Sequence, residues 1–349
     1  MARRTHHMTP PAVDGSRPGL FWPVAIDPDG ITGPTRAQAR GRHWVREAHG
    51  LYLPTGLEPR LRVDQRIVTA AAVMPQGGAI TGWAALRWGG ARHLDGHRRG
   101  SVLSVTIAVP PSTRDRRPGI DLTSEAGLRS RLIEVDGLTL TSYEAATAFE
   151  VRHAASLQEA VAMIDRACAA DLVSLDELRA HRRESSGTRW VRRLDAAIEL
   201  ADENVWSPME SVMRLCWRDL GVTDVVCNRP VFGLDGSFLG TPDLLDVETG
   251  LVGEYDGSLH LAGHQRAKDI RREGAFRRVG LEYVEMVAAD QRDMTDFARR
   301  TLDARARTGT SPRGWTLVPP PGWVETHTVD LRRALSTGQR ARFLRWQAS

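Results

Sequence analysis

The apolar and polar positions of the chain change period several times, and the changes divide it into segments. Residues 1–22 are polar, rich in Pro and Arg, and expected to be loose. Ile31–Pro54 carries a compact pattern. Thr35 is placed to cap a helix through Arg36–Arg40, Gly41 gives a turn, and Trp44–Ala48 leads on toward Gly50-Leu51-Tyr52-Leu53-Pro54. Short helices followed by that strand read either as a winged helix-turn-helix or as an ordinary small αβ element. Val63–Met74 has helical spacing and stops at Pro75-Gln76-Gly77-Gly78, and Ile80–Trp88 has it again and stops at Gly89-Gly90. Val102–Val109 alternates as a strand before Pro110-Pro111, and Leu132–Leu140 predicts a short β pair about Asp136-Gly137. From Ser142 to Ala201 the pattern is helical, with Ser156/Glu159 and Ser174/Glu177 at capping-box spacing. The basic, glycine-broken stretch Arg182–Arg193 reads as a hinge, either touching a nucleic-acid backbone or simply solvated.

The last patterned region begins at Ser207, in the order helix, three strands, helix, strand, helix. In Ser207-Pro208-Met209-Glu210 a capping serine, a proline at the first helical position and a glutamate three residues after the cap start a helix that Gly221 ends. Val225–Phe232 and Phe238–Val247 predict strands about Leu234-Asp235-Gly236-Ser237, where Asp-Gly marks a hairpin. Leu251–Asp256 is the third strand, Gln265–Val279 a helix, Leu281–Val287 a strand, and Asp290 caps the last helix. Thr308–Trp323, rich in Gly and Pro, reads as a linker, and Asp330–Trp346 as a small terminal helix. The fold class is α/β, α+β overall. The expected segments are 1–22, 23–100, 101–200 (mixed β, then helical), 201–306 and 307–349.

The chemistry gathers in the fourth segment. An acid flanked by apolar residues in a strand, as in Thr241-Pro242-Asp243-Leu244-Leu245, is costly to bury unless it binds something. In the next strand Glu254 and Asp256 share one face by alternation. Asp243, Glu254 and Asp256 on adjacent strands repel one another, and a hard divalent cation relieves this because Mg²⁺ takes oxygen ligands. Such an ion activates water and stabilises charge on a transferring phosphoryl group. Glu210 is explained equally by helix capping. His260 is either a proton-transfer or phosphate-binding group or a plain loop residue. Lys268, Arg271 and Arg272 share a helix face that reads as phosphate-contacting or merely solvated.

Composition narrows this modestly. A net charge of +4 and a pI near 9.3 are compatible with nucleic acid. Lys268 is the only lysine. A GC-rich coding sequence accounts for that bias, although arginine does suit bidentate phosphate contact. Cys168, Cys216 and Cys227 are scattered, which speaks against a zinc site or a disulfide framework. No apolar run approaches the roughly 18–20 residues of a membrane span. Met1–Val13 lacks the apolar core of a signal peptide. The expected compartment is the cytoplasm, with no membrane partner.

Ser207-Pro208-Met209-Glu210, Pro242-Asp243, Glu254-Tyr255-Asp256-Gly257 with His260, Asp269-x-x-Arg272 and Gly280 together resemble the PD-(D/E)XK nuclease superfamily, in the branch similar to very-short-patch-repair endonucleases. The resemblance spans about 85 residues. It implies an αβββαβ restriction-endonuclease-like core and metal-dependent phosphodiester hydrolysis. By position it implies Asp243 and Glu254 as ligands of Mg²⁺ (or Mn²⁺), with Glu210 reaching the ion from the first helix. The lysine usual two residues after the second acid is replaced by Asp256, which leaves His260 or the displaced Lys268 to act on the attacking water.

Ile31–Pro54 and Ala79–Leu86 more loosely resemble AbiEi-type antitoxins and related regulators. That implies a DNA-binding winged helix-turn-helix within 23–100, with Arg36, Arg40, Arg42 and Arg46 as its first contacts. The combined expectation is a metal-dependent endonuclease acting on DNA, targeted by an N-terminal module. RNA as substrate and a homodimer are left open. The alternative is an antitoxin or transcriptional regulator whose nuclease-like domain is weak or inactive.

Overall fold

The computed structural model describes residues 8–98, 100–114, 117–185, 191–256, 272–309 and 312–348, and it mixes helices with sheets. The chain divides into two compact units, Met1–His153 and Ala154–Ser349. The helices after His153, expected to belong to a middle region, fold with the second unit. No helix among the described residues is long and apolar enough to cross a membrane.

In the first unit, β1 (Val24–Ala25), β2 (Trp44–Ala48) and β3 (Leu51–Pro54) form an antiparallel sheet in the order β1-β3-β2. Thr35 caps α1 (Arg36–Ala39) as expected, accepting from the Gln38 N–H while the Gln38 side chain accepts from the Thr35 N–H. That helix is a single turn, and Trp44–Ala48 is a strand. Residues 31–54 are therefore one helical turn and a hairpin, not short helices followed by a strand. Aromatic Trp44 and β-branched Val45 favour the extended form, and they pair with Pro54 and Leu53.

The larger sheet of this unit runs β8 (Ile120–Thr123), β7 (Val105–Ala108), β4 (Ala79–Thr81), β10 (Leu138–Thr141) and β9 (Leu132–Val135). Asp136 and Gly137, at φ 44° and 79°, make the expected β9–β10 turn. α2 (Arg62–Ala72) matches its apolar period. α3 (Gly82–Gly89) starts later than expected because Ile80 is buried at the centre of the sheet, in β4. At Gly82 the chain turns at φ +62°, and an added Cβ would lie 2.4 Å from Glu150 Oε1. That oxygen accepts the Trp83 N–H at 2.8 Å, so α4 (Tyr143–His153) caps the start of α3. The strand expected over Val102–Val109 is interrupted. The carbonyls of Leu103 and Ser104 accept from the side chains of Arg66 and Trp83, leaving Val102 in a separate ribbon of β5 (His97–Arg98) and β6 (Ser101–Val102).

The second unit opens with the expected helices α5 (Leu157–Ala169), α6 (Leu175–Glu184) and α7 (Val191–Leu200). Ser156 and Ser174 cap the first two. α8 (Pro208–Asp219) packs on α5. A four-stranded sheet follows in the order β11 (Val225–Cys227), β14 (Leu244–Asp246), β15 (Leu251–Asp256) and β16 (Glu282–Val287). Its last pairing is parallel and the others antiparallel. Met213 and Trp217 of α8, with Phe297 of α10 (Thr295–Arg307), pack with Leu244, Val284 and Met286 on one side. Phe276, from the helical residues 272–278 (α9), packs with Leu245 and Val252.

A second sheet, β13 (Phe238–Gly240)-β12 (Val231–Gly233)-β17 (Trp315–Thr316), takes the outer halves of the expected hairpin. Val225–Phe232 and Phe238–Val247 are thus each divided between two sheets. Asn228 at φ 48° and Gly240 at φ 157° make the breaks. Gly240 also makes room, since a Cβ there would lie 2.9 Å from the Phe276 ring and 3.2 Å from Arg272.

The tail is more than a linker. Trp315 is buried, and α11 (Val329–Arg333) and α12 (Thr337–Phe343) lock onto the end of α5. Arg332, fully buried, donates through Nε to Asp171 Oδ1 (2.6 Å) and through Nη2 to the carbonyls of Cys168 (2.8 Å) and Glu203 (3.0 Å). Arg340 (2.6 Å) and Gln347 (2.9 Å) both donate to Asp171 Oδ2. The last carbonyls of a helix have no partner within it, and here the tail supplies donors for them.

Candidate functional site

The start of α8 positions the first candidate acid. Ser207 Oγ accepts the Glu210 N–H at 3.3 Å with Pro208 at the first helical position, as expected. The Glu210 carboxylate does not return to the cap residue itself. Its Oε2 accepts the Trp206 N–H at 2.8 Å and the Asn228 side-chain amide at 2.7 Å. Asn228 Nδ2 also donates to the Asn204 carbonyl at 2.7 Å. Glu210 therefore has a structural role, and it is buried, at 5% exposure.

Asn228 leads on to the next acid, because its N–H donates to the Asp243 carbonyl at 3.0 Å. β14 and β15 pair Leu244 with Gly253, and one further step in that register sets Asp243 opposite Glu254. The Tyr255 N–H donates to Asp243 Oδ2 at 2.7 Å, holding that carboxylate at the strand end. Glu254 is buried and Asp243 partly exposed. Across from them, Arg272 Nη2 donates to Glu254 Oε2 at 3.0 Å. Arg272, expected to face phosphate or solvent, is instead engaged in an ion pair with the acid. Its position follows from α9 closing over Gly240. Asp256 ends β15 two residues beyond Glu254 and is half-buried. His260, Lys268 and Arg271 lie outside the described residues.

Glu210 and Asp243 both sit in electrostatically unfavourable surroundings. Burial raises the Glu210 carboxyl above its ordinary value, and the Asp243 charge raises it further. Hydrogen bonds from Trp206, Asn228 and Ser207 pull the other way. Burial also raises Asp243, against the Tyr255 N–H and the Arg272 charge. Tyr283 is pushed well up by burial and then by the Glu254 charge, so its phenol stays protonated. Two acids sharing a poorly solvated place are not both ionised unless a cation joins them. No group of three or more His, Cys, Asp or Glu side chains is set to hold a metal among the described residues. The Asp243 charge acts on Glu210, while Glu254 is held by Arg272.

Asn228 was not foreseen as part of the site. Its signal is an asparagine just before Arg229-Pro230, where a left-handed residue interrupts a strand. Asp246, fully buried, is a further strand acid, but it shapes a turn. It accepts from the Glu248 N–H at 3.2 Å and the Thr249 hydroxyl at 2.6 Å, with Arg305 Nε at 3.7 Å. In the first unit, Arg36, Arg40, Arg42 and Arg46 are all exposed. Arg42 reaches His43 at 3.3 Å and Arg46 reaches His49 at 2.9 Å. Compared with family models, characterised proteins and solved structures, the chain matches none.

Proposed function

We propose that the second unit is a metal-dependent endonuclease core acting on DNA, and that the first unit contacts the nucleic acid. The observation that carries this is Asp243 set opposite Glu254 by the β14–β15 register, with buried Glu210 tied to the same strand end through Asn228. A donor set of carboxylate oxygens suits a hard cation such as Mg²⁺ or Mn²⁺. Glu210 and Asp243 would hold it, and Glu254 would join on exchanging Arg272 for the ion. When bound, the ion would activate water and stabilise charge on phosphate. The succession α8, β11, β14, β15, α9, β16 about a mixed sheet is in keeping with an αβββαβ core. His260 and Lys268 keep the roles that the resemblance implies. Exposed Arg36, Arg40 and Arg42 suit a phosphate backbone.

The test is incubation of the full chain with supercoiled plasmid and single-stranded oligonucleotides, in Mg²⁺, in Mn²⁺ and in EDTA. Metal-dependent cleavage that disappears in Asp243→Asn and Glu254→Gln is expected. Tight DNA binding with no cleavage in any metal overturns the enzyme.

A second reading has its own observation. Arg272 neutralises Glu254 with a protein cation, as expected of a regulator whose nuclease-like unit is a scaffold. In that case Mg²⁺ and EDTA give the same melting transition, whereas the enzyme is stabilised by the ion.

A further inference from the structure

A cleft of about 500 Å³ opens in the first unit, and the nuclease reading makes no use of it. Its size falls in the range of small-molecule sites, which are mostly apolar with a few placed polar groups. One wall is a face of α2. Arg66, Thr69, Ala70 and Val73 follow one another at helical spacing and all line it. The opposite wall is the β7–β8 pair, where Val105 and Ile120 are register partners.

Three arginines stand over this aliphatic floor. Arg46 and His49 reach the cleft from the β2–β3 hairpin, Arg66 from α2, and Arg117 from the approach to β8. Glu47 is the acid among the lining residues. Arg66 is already fixed in place. Its guanidinium donates to the Leu103 carbonyl and lies 5.6 Å from the Trp83 ring centre. A cation held this way loses little freedom when an anion arrives.

Thr69 also lines the α2 wall. It is 9% exposed, and its buried hydroxyl meets no hydrogen-bond partner among the described residues.

We propose that this cleft binds a small organic anion: an apolar body seated on Val73, Val105 and Ile120, with a carboxylate, sulfonate or phosphate head among the arginines. The aliphatic floor distinguishes such a ligand from a nucleic-acid backbone, which is met by charged and polar groups and needs no apolar seat.

The test is a fluorescence titration of the full chain with 8-anilinonaphthalene-1-sulfonate, and with N-phenyl-1-naphthylamine as the uncharged counterpart. The expected result is saturable one-to-one binding of the sulfonate, displaced by decanoate and not by decanol. Arg46→Ala weakens the sulfonate by about tenfold or more and leaves the uncharged probe unchanged. Val73→Trp, which fills the cleft, removes both probes. Glu47→Gln, an exposed change with no folding risk, tightens the sulfonate by about two- to fivefold. Absence of saturable binding, binding indifferent to Val73→Trp, or equal binding of the two probes with no response to Glu47→Gln overturns the proposal. Displacement by duplex oligonucleotide but not by decanoate overturns it as well, and assigns the cleft to nucleic acid.

Discussion

Asp171 and Glu210 have enclosed side chains in the same unit and opposite surroundings. Asp171 is met by Arg332, Arg340 and Gln347, and each of its oxygens has a donor at 2.9 Å or closer. Glu210 is met by an amide and a backbone N–H, and the Asp243 charge raises its carboxyl further. A buried charge with matched counter-charges holds elements together. A buried charge facing its own kind destabilises the fold until a cation or a proton arrives, so it marks a place where something else binds. The contrast separates acids that serve architecture from acids that serve chemistry, which burial alone does not do: Asp246, buried as deeply, only shapes a turn.

The contrast breaks most visibly in stability. Arg332→Ala leaves Asp171 short of its main partner and is expected to cost about 3–5 kcal/mol, read by urea denaturation. Glu210→Gln in EDTA is expected to be neutral or stabilising. Equal losses for the two variants would erase the distinction. Next comes activity: Asp243→Asn should slow metal-dependent cleavage by at least about 10²-fold while its melting transition stays level or rises.

The pH dependence has a definite sign. Glu210 moves from an ordinary 4.5 to about 8 in the fold, and Asp243 from 3.8 to about 6. Between those values the folded chain holds protons that the unfolded chain releases, so stability falls as pH rises. The contribution of Glu210 is complete below pH 4.5 and lost as pH passes through about 8. Melting curves in EDTA from pH 5 to 9 should decline more steeply for wild type than for Glu210→Gln, and Mg²⁺ should oppose the decline. Identical slopes would show that the acids are not destabilised. The smallest effect lies in the first unit, where Thr69→Val removes a buried hydroxyl with no hydrogen-bond partner among the described residues. It is expected to raise stability by about 1 kcal/mol in the same melting assay.

Much of the local structure was legible because its causes are local. The caps at Thr35, Ser156, Ser174 and Ser207 each depend on residues three apart. The Asp136-Gly137 turn depends on adjacent residues, and the placing of Asp243 opposite Glu254 depends on strand alternation and a short connection. What was not legible depends on distant partners. Trp44–Ala48 becomes a strand because Leu51–Pro54 pairs with it. The Val225–Phe232 pattern is continuous, and alternation does not say that Val226 and Val231 belong to different sheets. Arg272 looked like one of several basic side chains on a helix until Gly240 let that helix approach Glu254. The burial of Glu210 was hidden for a related reason. Capping glutamates normally stay wet, and the Asn228 amide that encloses this one comes from another strand.

The Asp171 lock also sets an order of events during synthesis. Arg340 follows Asp171 by 169 residues. At roughly 5–20 residues per second, a ribosome takes on the order of ten to thirty seconds to bridge that interval. Until Arg332 and Arg340 are made, the end of α5 lacks these donors. The first unit, with all its strands before residue 142, precedes this wait. The second unit is therefore the part of the nascent chain that stays exposed to proteases and chaperones longest, and a premature stop before Arg332 would leave it unable to close.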